Sequence, residues 1–203
     1  MFGHLFRRFQ HFDQIARAYY GPRPWCYPKC VYNLFIRVNE FIIFRKDLVP
    51  TDGDPFAGTE FEIRRMPIEE LRARRAGANL PKEFYYDISH GWTTCYVVLH
   101  HDELAYIHWV VYSGERSRFF RCALGVAELA SIIALPRFRG QGLQVKAQTY
   151  TCEAERLRGI KALVTAVHNS NTPSIKNMER TGFVELTRMK CIGRWNRKIT
   201  VSR

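Results

Sequence analysis

The segment of this chain best equipped for chemistry reads Ile132-Ile-Ala-Leu-Pro-Arg-Phe-Arg-Gly-Gln-Gly142-Leu-Gln. A β-branched apolar stretch runs into a turn with two glycines, and a helix-forming sequence follows. Glycine lets a backbone approach a ligand closely, and the helix behind it points free N–H groups and the positive end of its dipole at that ligand. Arg137 and Arg139 add charge beside the turn. Together Arg139, Gly140, Gln141, Gly142, Leu143 and Gln144 make an anion cradle, for which a pyrophosphate is the natural occupant. The glycines do not follow G-x-G-x-x-G and no G-K-[ST] is present, so neither a Rossmann dinucleotide site nor a P-loop is indicated. A plain left-handed turn between strand and helix would also use glycine. The order Pro, aromatic, Arg, Gly, Gly favours the cradle.

Glu128 is the second candidate, an acid in the otherwise apolar run Glu-Leu-Ala-Ser-Ile-Ile-Ala-Leu. Burial shifts a carboxyl upward toward neutrality, which suits a general base near pH 7. The bland alternative is a strand-end carboxylate in solvent or paired with an arginine. His108 and His168 sit on or at the ends of strand-like stretches, where a lone histidine is more often structural. Trp92, Tyr96, Tyr106, Trp109 and Tyr112 are what any half-buried hairpin needs. Tyr150, Cys152 and Asn177 are proton donors by location only.

The elements that must position these groups follow from the pattern. A basic amphipathic helix is expected over about residues 5–19, then a loop through GPRPWCYPKC. Val31–Arg37 and Phe41–Arg45 read as two strands and Thr59–Arg65 as another, with a helix from Pro67 to about Arg75. Thr93–His100 and Glu103–Tyr112 read as a hairpin joined at His101-Asp102. Glu128–Leu135 is a strand, Leu143 to Leu157 a helix stopped by Gly159, and Ala162–Val167 a buried strand. Thr172 and Pro173 are expected to cap and open a helix ending at Gly182, before strands near Phe183–Met189 and Arg194–Val201. The pattern is mixed α/β, with residues 1–58 as an N-terminal extension and 59–203 as one catalytic-sized domain.

At 203 residues, with 46% apolar and 25% charged residues, the chain can bury a core, and a long disordered or fibrous protein is excluded. No apolar run approaches the roughly 18 residues of a membrane span, and MFGHLFRRFQHF lacks the h-region of a signal peptide. Six scattered cysteines suit a reducing compartment, so a cytoplasmic location is expected. Cys26 and Cys30 have no matching Cys/His pair at finger-like spacing, so no metal is expected. Of the net charge of +12, residues 121–203 supply +10, with 15 basic against 5 acidic residues. Such a surface wants an anionic partner: a phosphorylated ligand, nucleic acid or an anionic membrane. Few stacking motifs argue against nucleic acid, while Arg7, Arg8 and Arg17 among phenylalanines allow membrane-surface docking by the first helix.

The glycine segment resembles the acyl-CoA signature [R/Q]-x-x-G-x-[G/A] of the GNAT acyltransferase superfamily. A second signature resembles N-x-x-[A/S]-x-x-x-Y-x-x-x-G-F and runs from Asn171 through Ser174 and Met178 to Gly182-Phe183. The resemblance covers roughly Thr59–Val201. It implies a largely antiparallel central sheet with splayed parallel strands and flanking helices. It also implies transfer of an acyl group, most simply acetyl, from acyl-CoA to an amine acceptor. By register it places the backbone groups of Ile132 and Ala134 against the thioester and pantetheine, and Asn171 and Ser174 beside CoA. Glu128, fourteen residues before Gly142, matches the glutamate base of the histone acetyltransferase branch. Two positions depart from the family. Gln144 replaces a small residue, and Met178 replaces the tyrosine that protonates the leaving thiolate. Methionine cannot donate a proton, which keeps open a non-catalytic acyl-CoA-binding module. An RNA- or ribosome-associated protein using the basic C-terminal strands is a further alternative.

Overall fold

The computed structural model describes residues 26–32, 36–51, 53–192 and 198–201, which fall into two compact units. One holds the described residues 26–32, 36–41 and 189–192. Its short helix α1 spans Cys26–Val31. At the described ends of the strand expected over Val31–Arg37 no strand is present: Val31 closes the helix, and the Arg37 N–H donates back to the Tyr32 carbonyl at 2.7 Å, while 33–35 lie outside the described residues. The amphipathic helix expected at 5–19, with Arg7, Arg8 and Arg17, lies outside the described residues.

The other unit holds residues 42–51, 53–188 and 198–201 and carries every candidate site residue. In chain order its elements are β1 (Val38–Asp47, within this unit from Ile42), β2 (Phe61–Met66), α2 (Ile68–Arg75), α3 (Tyr86–His90), β3 (Cys95–His100), β4 (Glu103–Val111), β5 (Phe120–Cys122), β6 (Val126–Ala134), α4 (Leu143–Leu157), β7 (Ala162–His168), α5 (Thr172–Arg180), β8 (Val184–Ile192, within this unit to Arg188) and β9 (Ile199–Val201). Seven strands form a mixed sheet in the order β2-β3-β4-β6-β7-β1-β8. The β2–β3–β4–β6 pairs are antiparallel and β6–β7 is parallel. Helices flank this sheet, as the family resemblance implies. β5 and β9 make a separate parallel pair. Among the described residues no helix is long and apolar enough to cross a membrane.

Alternation on the central strands feeds two apolar clusters. Trp109 and Ala130 enter one with Leu143 and Ala147, while Val110 and Leu129 enter the other with Cys152 and Met178. The segment 82–90, too short and polar to show a period, folds as a turn and helix α3. It is held by the buried pair Arg75–Asp87, with Arg72 also on Asp87 at 2.9 Å. Burial pushes the Asp87 carboxyl up, but hydrogen bonds from Arg75 and Arg72 outweigh it and hold the group below its ordinary range. The cap of α5 is Asn171 rather than Thr172: its side-chain oxygen accepts from the Ser174 N–H at 3.3 Å, and Thr172 is already helical.

Candidate active site

The site is built where β6 and β7 part. Their parallel ladder covers only Val126–Ala162, Ala127–Leu163 and Glu128–Val164, yet β6 continues to Ala134 and β7 to His168. What re-aims β6 is a bulge. Trp109 faces Ala130 and Ile107 faces Ile133, so His108 alone stands opposite Ser131 and Ile132. Ser131 carries the extra turn at φ 51°, a left-handed value that a serine adopts only when neighbours enforce it. Beyond the bulge the Leu135 N–H donates to Ala105 of β4 at 2.9 Å. Strand alternation then turns the amide groups of Ile132 and Ala134 toward the opposite edge, where β7 has separated. Arg139 Nε donates to the Ala134 carbonyl at 3.3 Å, drawing its guanidinium across the mouth.

At the end of β6 a 3₁₀ turn, Pro136–Phe138, leads into the glycine segment. Gly140 and Gly142 hold φ of 79° and 71° with no other atom within 4 Å of a would-be Cβ. Gly142 caps α4, whose first turn has no acidic residue. The amides of Leu143 and Gln144 are therefore early, unpaired donors of a fifteen-residue helix. Gln141 is exposed beside them. Gln144 ties this end of α4 to α5: its Oε1 accepts from Asn177 Nδ2 at 3.0 Å, while its buried Nε2 has no partner among the described residues. A buried donor left over beside an amide-lined helix start is a group that an anionic ligand would engage, so these residues fit a pyrophosphate. Ser174 is half-buried and Asn171 exposed, together at the start of α5 after β7.

Glu128 is buried in β6, opposite Val111 and Val164. Burial pushes its carboxyl up to about 7, against the smaller opposing pulls of the Ser117 hydroxyl and Lys198. Its Oε2 has no hydrogen-bond partner among the described residues. Ser117 and Lys198 line a cavity of about 160 Å³ with Tyr112, Phe120 and Cys122, room for a few waters at about 30 Å³ each. Four residues of strand, roughly 13 Å before the bulge shortens it, separate Glu128 from Ile132. A proton from a centre at Ile132 would reach Glu128 through water rather than directly.

The remaining candidates separate cleanly. His108 is fully buried between Tyr106 Oη at 3.0 Å and Thr151 Oγ1 at 2.9 Å, and burial pushes it down to about 3. It is a neutral core histidine. His168 ends β7 with its Nδ1 2.8 Å from Ser170 Oγ. Tyr96 and Tyr112 both donate to the buried carboxylate of Glu155, at 2.7 and 2.9 Å. Met178 is fully buried, its sulfur accepting from Gln148 Nε2 at 3.6 Å. Two features were absent from the sequence-based candidates: the Ser131 bulge and the polar face of α4. The second had a signal, since Gln148, Thr151 and Glu155 recur three and four residues apart, the spacing of one helix face.

The family model for the acetyltransferase (GNAT) family matches residues 65–183. No curated protein matches the chain. Among solved structures it is similar to a GCN5-related N-acetyltransferase from Sphaerobacter thermophilus, with 12% identity over 86% of this chain and 58% of the other and a TM-score of 0.53. It is also similar to an acetyltransferase from the GNAT family from Colwellia psychrerythraea, with 14% identity, coverage of 81% and 59%, and a TM-score of 0.51. A third is a GCN5-related glucosamine N-acetyltransferase region of a fungal multi-domain β-N-acetylglucosaminidase, with 14% identity, coverage of 76% and 21%, and a TM-score of 0.59. The chain spans less than two thirds of each of these, and at such identities the likeness is one of fold.

Proposed function

This chain belongs to the GNAT acetyltransferase family, and from that premise we propose that it moves an acyl group, acetyl first, from acyl-CoA to a primary amine by direct attack. The observation that carries this is the parted β6–β7 pair ending in a glycine-lined helix start. Backbone amides over Arg139–Gln144 hold the pyrophosphate, with Asn171 and Ser174 on the α5 side. The Ile132 amide donates to the carbonyl oxygen as it gains charge, a contact worth about 10²–10³ in rate, and Ala134 holds the pantetheine arm. The amine nitrogen bonds to the thioester carbon, its proton passes through water to Glu128, and the C–S bond breaks to give the thiolate. Met178 gives that thiolate no proton. A thiol of pKa about 8.5 leaves as the anion with little need of one. The excess of basic charge draws in the anionic co-substrate, and the scattered cysteines favour the cytoplasm.

Met178 also favours a second reading, an acyl-CoA receptor without turnover. Thiol release from acetyl-CoA, measured with the full chain across a broad panel of amines, separates the two. Release above the hydrolytic background is expected. Saturable CoA binding with no release for any amine would leave the receptor.

A further inference from the structure

Away from the cleft, three metal-ligating side chains converge where β3 turns into β4. His100 ends β3, His101 and Asp102 form the two-residue turn, and Glu60 precedes β2, whose Phe61 stands opposite His100. Both imidazoles aim at one oxygen. Glu60 Oε2 lies 3.3 Å from His100 Nε2 and 3.6 Å from His101 Nε2, and all three ligand atoms lie within 4.8 Å of one another.

We propose that Glu60, His100 and His101 bind a divalent transition cation, zinc foremost, with solvent completing the shell. Zinc bonds of 2.0–2.1 Å at tetrahedral angles require ligand atoms about 3.3–3.4 Å apart. Two of the three separations are within a few tenths of an ångström of that value. Two imidazole nitrogens and one carboxylate suit zinc and disfavour calcium or magnesium, which take oxygen. The turn itself is shaped for it. His101 and Asp102 hold φ of 45° and 70°, values a two-residue hairpin normally assigns to Asn-Gly. That backbone folds His101 back beside His100, with ring centroids 4.3 Å apart. A single carboxylate–imidazole pair would need neither the second ring nor this turn. The His100 ring is buttressed by Phe61 at 4.9 Å and Phe138 at 5.4 Å, while Asp102 is already engaged by Arg74 and Glu103 by Arg137. The sequence shows no ligand spacing because Glu60 meets the histidines only through the β2–β3 pairing. The site stands independently of the transferase assignment.

The test is calorimetric titration of the untagged full chain with zinc chloride, beside Glu60→Gln and His101→Asn. Asparagine tolerates the left-handed turn but lacks the reaching nitrogen. One zinc per chain is expected, with affinity lowered in each variant by more than the roughly 10–100-fold that losing a mere supporting partner costs. Both variants should melt with the wild type in chelator, and zinc should raise the melting temperature of the wild type alone. Cobalt(II) should give tetrahedral visible bands without a thiolate charge-transfer band. No saturable binding up to about millimolar zinc, affinity unchanged in both variants, or a thiolate band would overturn the proposal.

Discussion

Two regions of the same unit bury polar groups, and they treat them in opposite ways. On the inner face of α4 the polar partners are accounted for: Glu155 takes both Tyr96 and Tyr112, Thr151 meets His108, and Gln148 meets Thr181 and Met178. Along β6 and the start of α4 two buried side-chain atoms, Glu128 Oε2 and Gln144 Nε2, are left without a partner among the described residues, near the edge where β7 parts from β6. Buried polar groups with partners stabilise a fold, and those without one cost it stability. The sheet thus keeps a satisfied side and an unsatisfied one, and the second is where a ligand is to be expected. Substitutions on the two sides should therefore fail differently.

The largest effect is expected at the cradle. Gly142→Asp places a carboxylate where the pyrophosphate would lie and should abolish CoA binding in calorimetry, a loss beyond about 10³-fold. No other atom lies within 4 Å of its would-be Cβ, so the fold should lose only the roughly 1 kcal/mol of the left-handed backbone. Normal CoA affinity in this variant would place the ligand elsewhere.

Glu128→Gln comes next. Turnover should fall by about 10²–10⁴ with CoA affinity almost unchanged. In the wild type, kcat/KM should rise with pH through about 7, where the carboxyl gives up its proton. Stability should move the other way. The folded value near 7 lies above the ordinary 4.5, so stability present below about 4.5 is lost as pH rises through 7. The glutamine variant escapes that loss and should be more stable than wild type at about pH 8, by up to about 3 kcal/mol, and no more stable at about pH 4. Denaturant melts at both pH values check the sign. A variant that loses stability at pH 8 would show that Glu128 has a partner and belongs to the satisfied side.

What could be read from sequence was local. Arg139–Gln144 and Asn171–Phe183 each carry their signature within a few residues, and the run β2-β3-β4-β6-β7 around them keeps chain order in the sheet, whereas β1 is placed between β7 and β8. What could not be read depends on partners far along the chain. Ser131 is an unremarkable serine until its register against Trp109 and Ile107 makes it a bulge. The strand pattern at Val31–Arg37 gives way at Val31, which ends helix α1, and at Arg37, whose N–H donates to the Tyr32 carbonyl. Asn171 serves as a cap where Thr172 had an equal local claim. Glu60 and His101 are separated by forty residues of chain until β2 and β3 pair.

On the satisfied side, Glu155→Ala should act on stability. It leaves the buried phenol of Tyr96 and the half-buried one of Tyr112 without this acceptor and opens a cavity, for a loss of about 2–5 kcal/mol. The rate per folded molecule should stay within a few-fold of wild type, measured with acetyl-CoA and the best amine. A rate loss like that of Glu128→Gln, with unchanged melting, would move Glu155 into the machinery.

The smallest effect on rate is expected at Met178, the position where the sequence departs most from its family. Its side chain is fully buried on the satisfied side, with Gln148 donating to its sulfur. Met178→Tyr inserts a phenol into that packing, and overpacking of this kind costs about 1–3 kcal/mol. A thiolate that leaves unaided gains little from an added acid, so turnover should stay level or rise only modestly. A fall in rate greater than the loss of folded protein would point to another proton donor that the phenol obstructs. A gain on the order of 10³ would mean that the ring had reached the thiolate and supplied a missing acid. Position 178 would then belong to the cleft, and the natural methionine would mark a chain that binds its CoA thioester far better than it turns it over.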